Sequence, residues 1–105
     1  MKNKLNISPA ALNDLHEISD YITHDLENQA AAKRVINQIL DKIAQLVDFP
    51  QMGTNLSSLT EIDSDYRFLL CGHYLAFYRI VEYNIYIDRI LYARRDYLRT
   101  LFGDK

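Results

Sequence analysis

Polar and apolar positions alternate over Lys4, Leu5, Asn6 and Ile7, a period of two that predicts a short opening strand. Ser8 followed by Pro9 supplies an N-cap and a proline at the first helical position. Leu12, Leu15, Ile18, Ile22 and Leu26 then recur at three- and four-residue spacing, so a helix with one apolar stripe follows. His16 and His24 lie off that stripe and read as solvated helix residues. Glu27 and Asn28 interrupt the period. A second helix is predicted over residues 29–47, with Ala32, Val35, Ile36, Ile39, Ile43, Leu46 and Val47 on one face. Pro50 disfavours helix in the residue before it, and Gly53 permits a turn. Two helices joined by so short a connection form an antiparallel hairpin, and their shared stripe needs a third surface to cover.

Residues 54–65 read as a polar loop anchored by Leu56, Leu59 and Ile62. Three strands follow, over residues 66–70, 73–81 and 85–91, and their short connections make an antiparallel meander. Residues 94–102 close the chain as a short helix or an extended arm. The predicted class is α+β: one domain over residues 1–105 with an N-terminal strand, a helical hairpin and a three-stranded meander forming one sheet. The meander strands are apolar on both sides. Tyr74, Ala76, Tyr78 and Ile80 alternate with Leu75, Phe77, Arg79 and Val81; Ile85, Ile87, Arg89 and Leu91 alternate with Tyr86, Asp88, Ile90 and Tyr92. The hairpin covers one face. The other needs a second cover, either another chain or the C-terminal segment.

Composition changes this picture little: 49% hydrophobic and 25% charged residues are ordinary for a soluble folded protein. The single cysteine, Cys71, excludes an internal disulfide, and no Cys/His spacing suggests a metal site. The N-terminus lacks the apolar core of a signal peptide and no apolar run is long enough to span a membrane, so the chain reads as cytoplasmic. Charge is more informative. Residues 1–65 hold five Lys/Arg against ten Asp/Glu, and residues 66–102 hold six arginines, no lysine and three acids. Guanidinium forks grip carboxylates and phosphates bidentately, so the second half reads as a surface for an acidic or anionic partner. The competing reading pairs Arg79 and Arg89 with Glu82 or Asp88 across adjacent strands. Cys71-Gly72-His73 sets a nucleophile beside a base, but at a hairpin turn and without a third orienting group, so catalysis is not expected there.

The stretches YRFLLCGHYLAFYRI (66–80), NIYIDRILYARRD (84–96) and YLRTLF (97–102), after a strand and a helical hairpin, resemble the RelE/ParE toxin superfamily of bacterial type II toxin–antitoxin systems, and its ParE-like branch more closely. The resemblance runs from Leu5 to about Phe102 and rests most on Arg67, Tyr78-Arg79, Arg89 and Tyr92-Ala-Arg-Arg-Asp96. It implies a cytoplasmic growth-inhibiting toxin, of the kind associated with plasmid stabilisation. Its partner would be a cognate antitoxin whose disordered tail folds over the sheet and helices. No cofactor or metal is implied, and operator DNA is reached only through the antitoxin complex.

The superfamily carries two chemistries on one fold. RelE-like members cleave messenger RNA on the ribosome; ParE-like members inhibit DNA gyrase without hydrolysis. RNA cleavage needs a base, an acid and cations around one phosphate. By resemblance, Arg67 and Arg95 match two cationic positions, and Tyr97 or Tyr92 is the candidate replacement for a terminal aromatic. Leu69 and Leu75 fall where further cations stand in the nucleases, and Thr100, Leu101 and Phe102 fall near the terminal aromatic position. A net charge of −2 also suits ribosome docking poorly. The ParE-like reading is therefore favoured, with the metal-independent endoribonuclease as the alternative and a non-toxic co-repressor module as the third. The candidate target- or antitoxin-binding residues are Arg67, Arg79, Arg89, Tyr92, Arg94, Arg95 and Tyr97, with Asp96 as an arginine orienter.

Overall fold

The chain opens on β1 (Lys4–Ile7) and turns directly into α1 (Pro9–Asp20). Ser8 holds that turn from both sides: its Oγ accepts the Ala11 N–H at 3.0 Å and donates to the Asp88 carbonyl at 2.8 Å. The computed structural model describes residues 3–58, 64–94 and 96–103, so the predicted loop anchors Leu59 and Ile62 lie outside the described residues. Helix α1 continues into one π-helical turn, Tyr21–Asp25. Glu27 then adopts a left-handed φ of 51°, which ends the helix, and Asn28 Oδ1 caps α2 (Gln29–Ala44) by accepting the Ala31 N–H. The predicted run 29–47 is helical throughout, but its last three residues, Gln45–Val47, tighten into a 3-10 turn.

Among the described residues the sheet has five strands in the order β1-β5-β4-β3-β2, with β1 parallel to β5 and the other pairs antiparallel. The meander is β3 (Arg67–Cys71), β4 (Tyr74–Val81) and β5 (Asn84–Tyr92), and α3 (Tyr97–Phe102) follows it. The stretch from residue 54 is not all loop: Thr54–Asn55 forms β2, a two-residue edge strand on Phe68 and Arg67. Two residues carry too little periodicity to be read from sequence.

One departure reorganises β5. Phe77 pairs with Arg89 and Tyr78 with Ile87, so Asp88 has no opposite residue on β4 and forms a β-bulge. Strict alternation would place Arg89 and Leu91 with Ile85 and Ile87. The extra residue resets the period. Ile90 therefore joins Ile85 and Ile87 in the core under the hairpin, while Leu91 crosses to the face of Leu75 and Phe77.

Both faces of the sheet carry a core. Ile18, Ile22, Ile39, Ile43 and Leu46 from the hairpin pack on Leu69, Ala76, Tyr78, Ile85, Ile87 and Ile90. On the opposite face Leu56, Leu75, Phe77 and Leu91 are covered by α3 through Tyr97, Leu98, Leu101 and Phe102. Of the two candidate covers, the C-terminal segment takes this position. Asp96 is the N-cap of α3, accepting the Arg99 N–H, and Gly103 at φ 78° ends it.

Tyr78 anchors the crossing from α2 to the sheet. Its hydroxyl donates to the Pro50 carbonyl at 2.8 Å and accepts the Gly53 N–H at 2.9 Å. A Cβ on Gly53 would lie 2.5 Å from that hydroxyl and 2.6 Å from the Phe68 carbonyl oxygen, so the close approach requires glycine. Tyr78→Phe leaves both loop groups without this partner and is expected to lower unfolding stability by about 1–3 kcal/mol in urea titration. Gly53→Ala should be destabilising in the same assay, because backbone has to move.

Candidate functional site

The arginine-rich half is the place to build from. Arg67 lies on the hairpin face beside Tyr78, and its Nη1 donates to the Gly53 carbonyl at 2.9 Å. Arg79 lies on the opposite face, where Nε meets Asp88 Oδ2 at 2.8 Å and the guanidinium sits 5.8 Å from the Tyr66 ring centroid. The hydrogen bond that Arg79 donates to Asp88 holds its guanidinium still more firmly protonated. This is the cross-strand pair that the sequence offers as the alternative for Arg79.

Arg89 does not pair with Glu82 or Asp88. At the bulge its side chain reaches α1, where Nε and Nη2 each lie 2.8 Å from the two oxygens of Asp14. The Ile90 N–H donates to the same Asp14 Oδ2 at 2.9 Å. Asp14 is buried, and three hydrogen bonds satisfy it. Sequence reading overlooked this carboxylate. Its signal is its position: Asp14 lies three residues after Ala11 and four before Ile18, inside the buried stripe where an acid demands a partner.

The remaining candidates divide by burial. Tyr97 packs on Phe77 with ring centroids 5.3 Å apart, inside the second core. Tyr92 is exposed and meets Tyr74 edge to face at 5.7 Å. Arg94 is exposed in the turn after β5, with no hydrogen-bond or ion-pair partner among the described residues. Arg95 lies outside the described residues. Leu69 and Leu75, which stand at nuclease cation positions by resemblance, are both core residues on opposite faces of the sheet. Cys71 is buried and burial pushes its thiol up to about 11, whereas His73 is exposed in the β3–β4 turn. His16 and His24 are exposed on α1 and its π turn. No cluster of three His, Cys, Asp or Glu suited to a metal occurs among the described residues. None of their helices is long and apolar enough to cross a membrane.

Beside Tyr92 the surface opens into a groove of about 640 Å³ between the hairpin and the ends of β4 and β5. Its apolar lining comes from Ile18, Tyr21, Ile22, Leu26, Tyr74 and Tyr92. Arg94, without a partner among the described residues, thus stands two residues in sequence from an open aromatic groove, while the other described meander arginines are held internally.

This fold is similar to that of chains in solved toxin–antitoxin systems. The chromosomal ParDE TA system from P. aeruginosa contains a chain with TM-score 0.74 and 21% identity, over 88% of this chain and 97% of that one. The toxin–antitoxin complex RelBE2 from Mycobacterium tuberculosis contains one with TM-score 0.66 and 17% identity, over 88% and 99%. At such identities the likeness is one of fold. The family model for the ParE toxin of the type II toxin–antitoxin system parDE matches residues 5–97, and the chain belongs to that family. No curated protein sequence matches it.

Two outcomes follow from the geometry. Asp14→Ala strands the Arg89 guanidinium and the Ile90 N–H, and should lower stability by about 3–5 kcal/mol, as expected for breaking a buried pair. Arg79→Ala, in a more exposed pair, should cost about 1 kcal/mol or less in the same chemical denaturation. Burial raises the Cys71 thiol and the Tyr66, Tyr74 and Tyr78 hydroxyls above their ordinary values. The folded state therefore holds these protons more tightly than the unfolded chain. Their contribution to stability is complete below the unfolded values, near 9 for Cys71 and 10 for the tyrosines, and is lost as pH rises through the folded ones. Melting temperature should fall progressively above about pH 9, and Cys71 should resist iodoacetamide at pH 8 until the protein is unfolded.

Proposed function

We propose that this toxin is a ParE-like, non-hydrolytic inhibitor of DNA gyrase, kept inactive by a cognate antitoxin. The observation that carries the reading is the dispersal of its cations. Phosphodiester cleavage needs an acid, a base and charge stabilisation within hydrogen-bond reach of one phosphate. Arg67 is engaged by Gly53 on the hairpin face, Arg79 by Asp88 on the opposite face, and Arg89 by Asp14 at the sheet edge. Tyr97, the candidate terminal aromatic, packs on Phe77. Leu69 and Leu75 supply neither charge nor protons. The match to the ParE family model supports the same branch.

In this reading Arg94, beyond the end of β5, and Tyr92 form the target-facing surface, to which Arg95 is assigned from its place in the sequence alone. Arg67, Arg79, Arg89 and Tyr97 hold that surface in place. Purified toxin should inhibit gyrase supercoiling or stabilise its cleavage complex at micromolar concentration. Arg94→Glu should weaken inhibition at least tenfold without lowering the melting temperature. Codon-specific cuts in mRNA on translating ribosomes, together with unimpaired gyrase, would overturn the proposal in favour of the endoribonuclease. Unchanged growth on induction without the antitoxin would leave only the co-repressor role.

A further inference from the structure

Two tight turns close the meander, and they are built alike. Each has a two-residue loop whose first residue is left-handed: Gly72 at φ 64° between Cys71 and Tyr74, and Glu82 at φ 56° between Val81 and Asn84. Hairpin turns with positive φ at that position take glycine, which has no Cβ to clash. The β3–β4 turn follows the rule. The β4–β5 turn instead holds a glutamate in a backbone conformation that strains it, and strain of this kind clusters at functional contacts. Glu82 is exposed and forms no ion pair among the described residues.

Exposed apolar side chains gather at the same end of the sheet. Val81 and Tyr83 flank Glu82 and are 46% and 58% exposed, and Phe49 is 64% exposed. Two neighbouring residues at the start of β1 tie these segments together. Lys4 N–H donates to the Tyr83 carbonyl at 2.7 Å. Asn3 Nδ2 donates at 3.1 Å to the carbonyl of Val47, two residues before Phe49. Consecutive Cα atoms are only about 3.8 Å apart, so the turn and the end of α2 meet at one place. Lys4 is exposed there and, like Glu82, has no ion-pair partner among the described residues. Asp48, exposed beside Phe49, is the other acid of the patch.

We infer that this end of the sheet joins two copies of the toxin in an isologous dimer, with Phe49, Val81 and Tyr83 of each copy packed on those of the other and Lys4 of one copy facing Glu82 of the second. Large apolar side chains left open in one patch mark an interaction surface. Its charges select the occupant. A partner of one sign would meet a like charge at either Lys4 or Glu82, whereas a two-fold rotation sets each against its opposite and forms the pair twice. The strain at Glu82 is then offset by a contact that glycine could not make. From Asn84 at this end to Tyr92 at the other, β5 runs about 26 Å at 3.3 Å per residue. The dimer therefore leaves the surface around Tyr92 and Arg94 open on both copies, whichever target the toxin has.

Sedimentation velocity of the full-length toxin, run up to about 100 μM, should show a monomer–dimer equilibrium. Phe49→Ser and Tyr83→Ser change exposed side chains and should weaken association at least tenfold, with the melting temperature of dilute protein unchanged. Lys4→Glu and Glu82→Lys each set like charges face to face and should do the same. The double variant carrying both should associate within about twofold of wild type, because the pair is restored with its signs exchanged. Glu82→Gly should melt no lower than wild type, since the turn then holds the residue it favours, yet associate more weakly. Leu70→Ser, 57% exposed beside the β3–β4 turn, should leave the equilibrium unchanged. A monomer at every concentration overturns the dimer, and so does a dimer insensitive to Phe49→Ser and Tyr83→Ser. Failure of the double variant to restore what the single variants lose overturns the pairing of Lys4 with Glu82. Weaker gyrase inhibition by Tyr83→Ser in a toxin that sediments as a monomer assigns the patch to the target instead.

Discussion

The contact on which the architecture turns is the clamp of Asp14 on Arg89 and the Ile90 amide. β1 pairs with β5 only from Asn84 to Ile87, and the chain then leaves the sheet through Ser8 into α1. Beyond Ile87 the outer edge of β5 needs a new partner, because a buried backbone N–H without one costs about as much as a lost hydrogen bond. One carboxylate from the second turn of α1 supplies it and takes the neighbouring guanidinium bidentately. Helix and strand, far apart in sequence, are thereby set in one relative position. The bulge at Asp88 is part of the same device. It frees Asp88 to meet Arg79 on one side and re-aims Ile90 into the core on the other.

That arrangement decides what the arginines are available for. A sequence count suggests a basic surface gathered on the meander. In three dimensions Arg67, Arg79 and Arg89 point to different places and each is engaged by the protein itself, so their charge serves the fold before any ligand. Exposed charge is distributed the other way, with Glu17 and Asp20 on α1 without an ion-pair partner among the described residues and Arg94 at the far end of β5. A nuclease needs its charges converging on one phosphate.

Both sheet faces are covered unequally. The helical hairpin supplies a continuous apolar stripe, whereas α3 is six residues long and relies on aromatic contacts, Tyr97 on Phe77 and Phe102 edge-on to Tyr66 at 5.9 Å. The place left open is the groove between the hairpin and the ends of β4 and β5, where the π turn meets Tyr74 and Tyr92.

Local chemistry made much of this protein legible from its sequence. Ser8-Pro9 sets the start of α1, the spacing of Ile18, Ile22, Ile39 and Ile43 marks the buried stripes, and Gly72 sits at a hairpin turn at φ 64°. Each is written in neighbouring residues, because capping, periodicity and turn conformation act over a few positions. Tertiary structure alone decided the rest. The bulge at Asp88 shifts half of β5 by one residue, and nothing local announces it, since either phase of an apolar strand buries well. The partner of Arg89 lies 75 residues away, and the two-residue strand Thr54–Asn55 exists only because β3 is beside it. Which charges are free and which are used is a property of long-range pairing, so the candidate site could be named residue by residue from the sequence but assembled only in the fold.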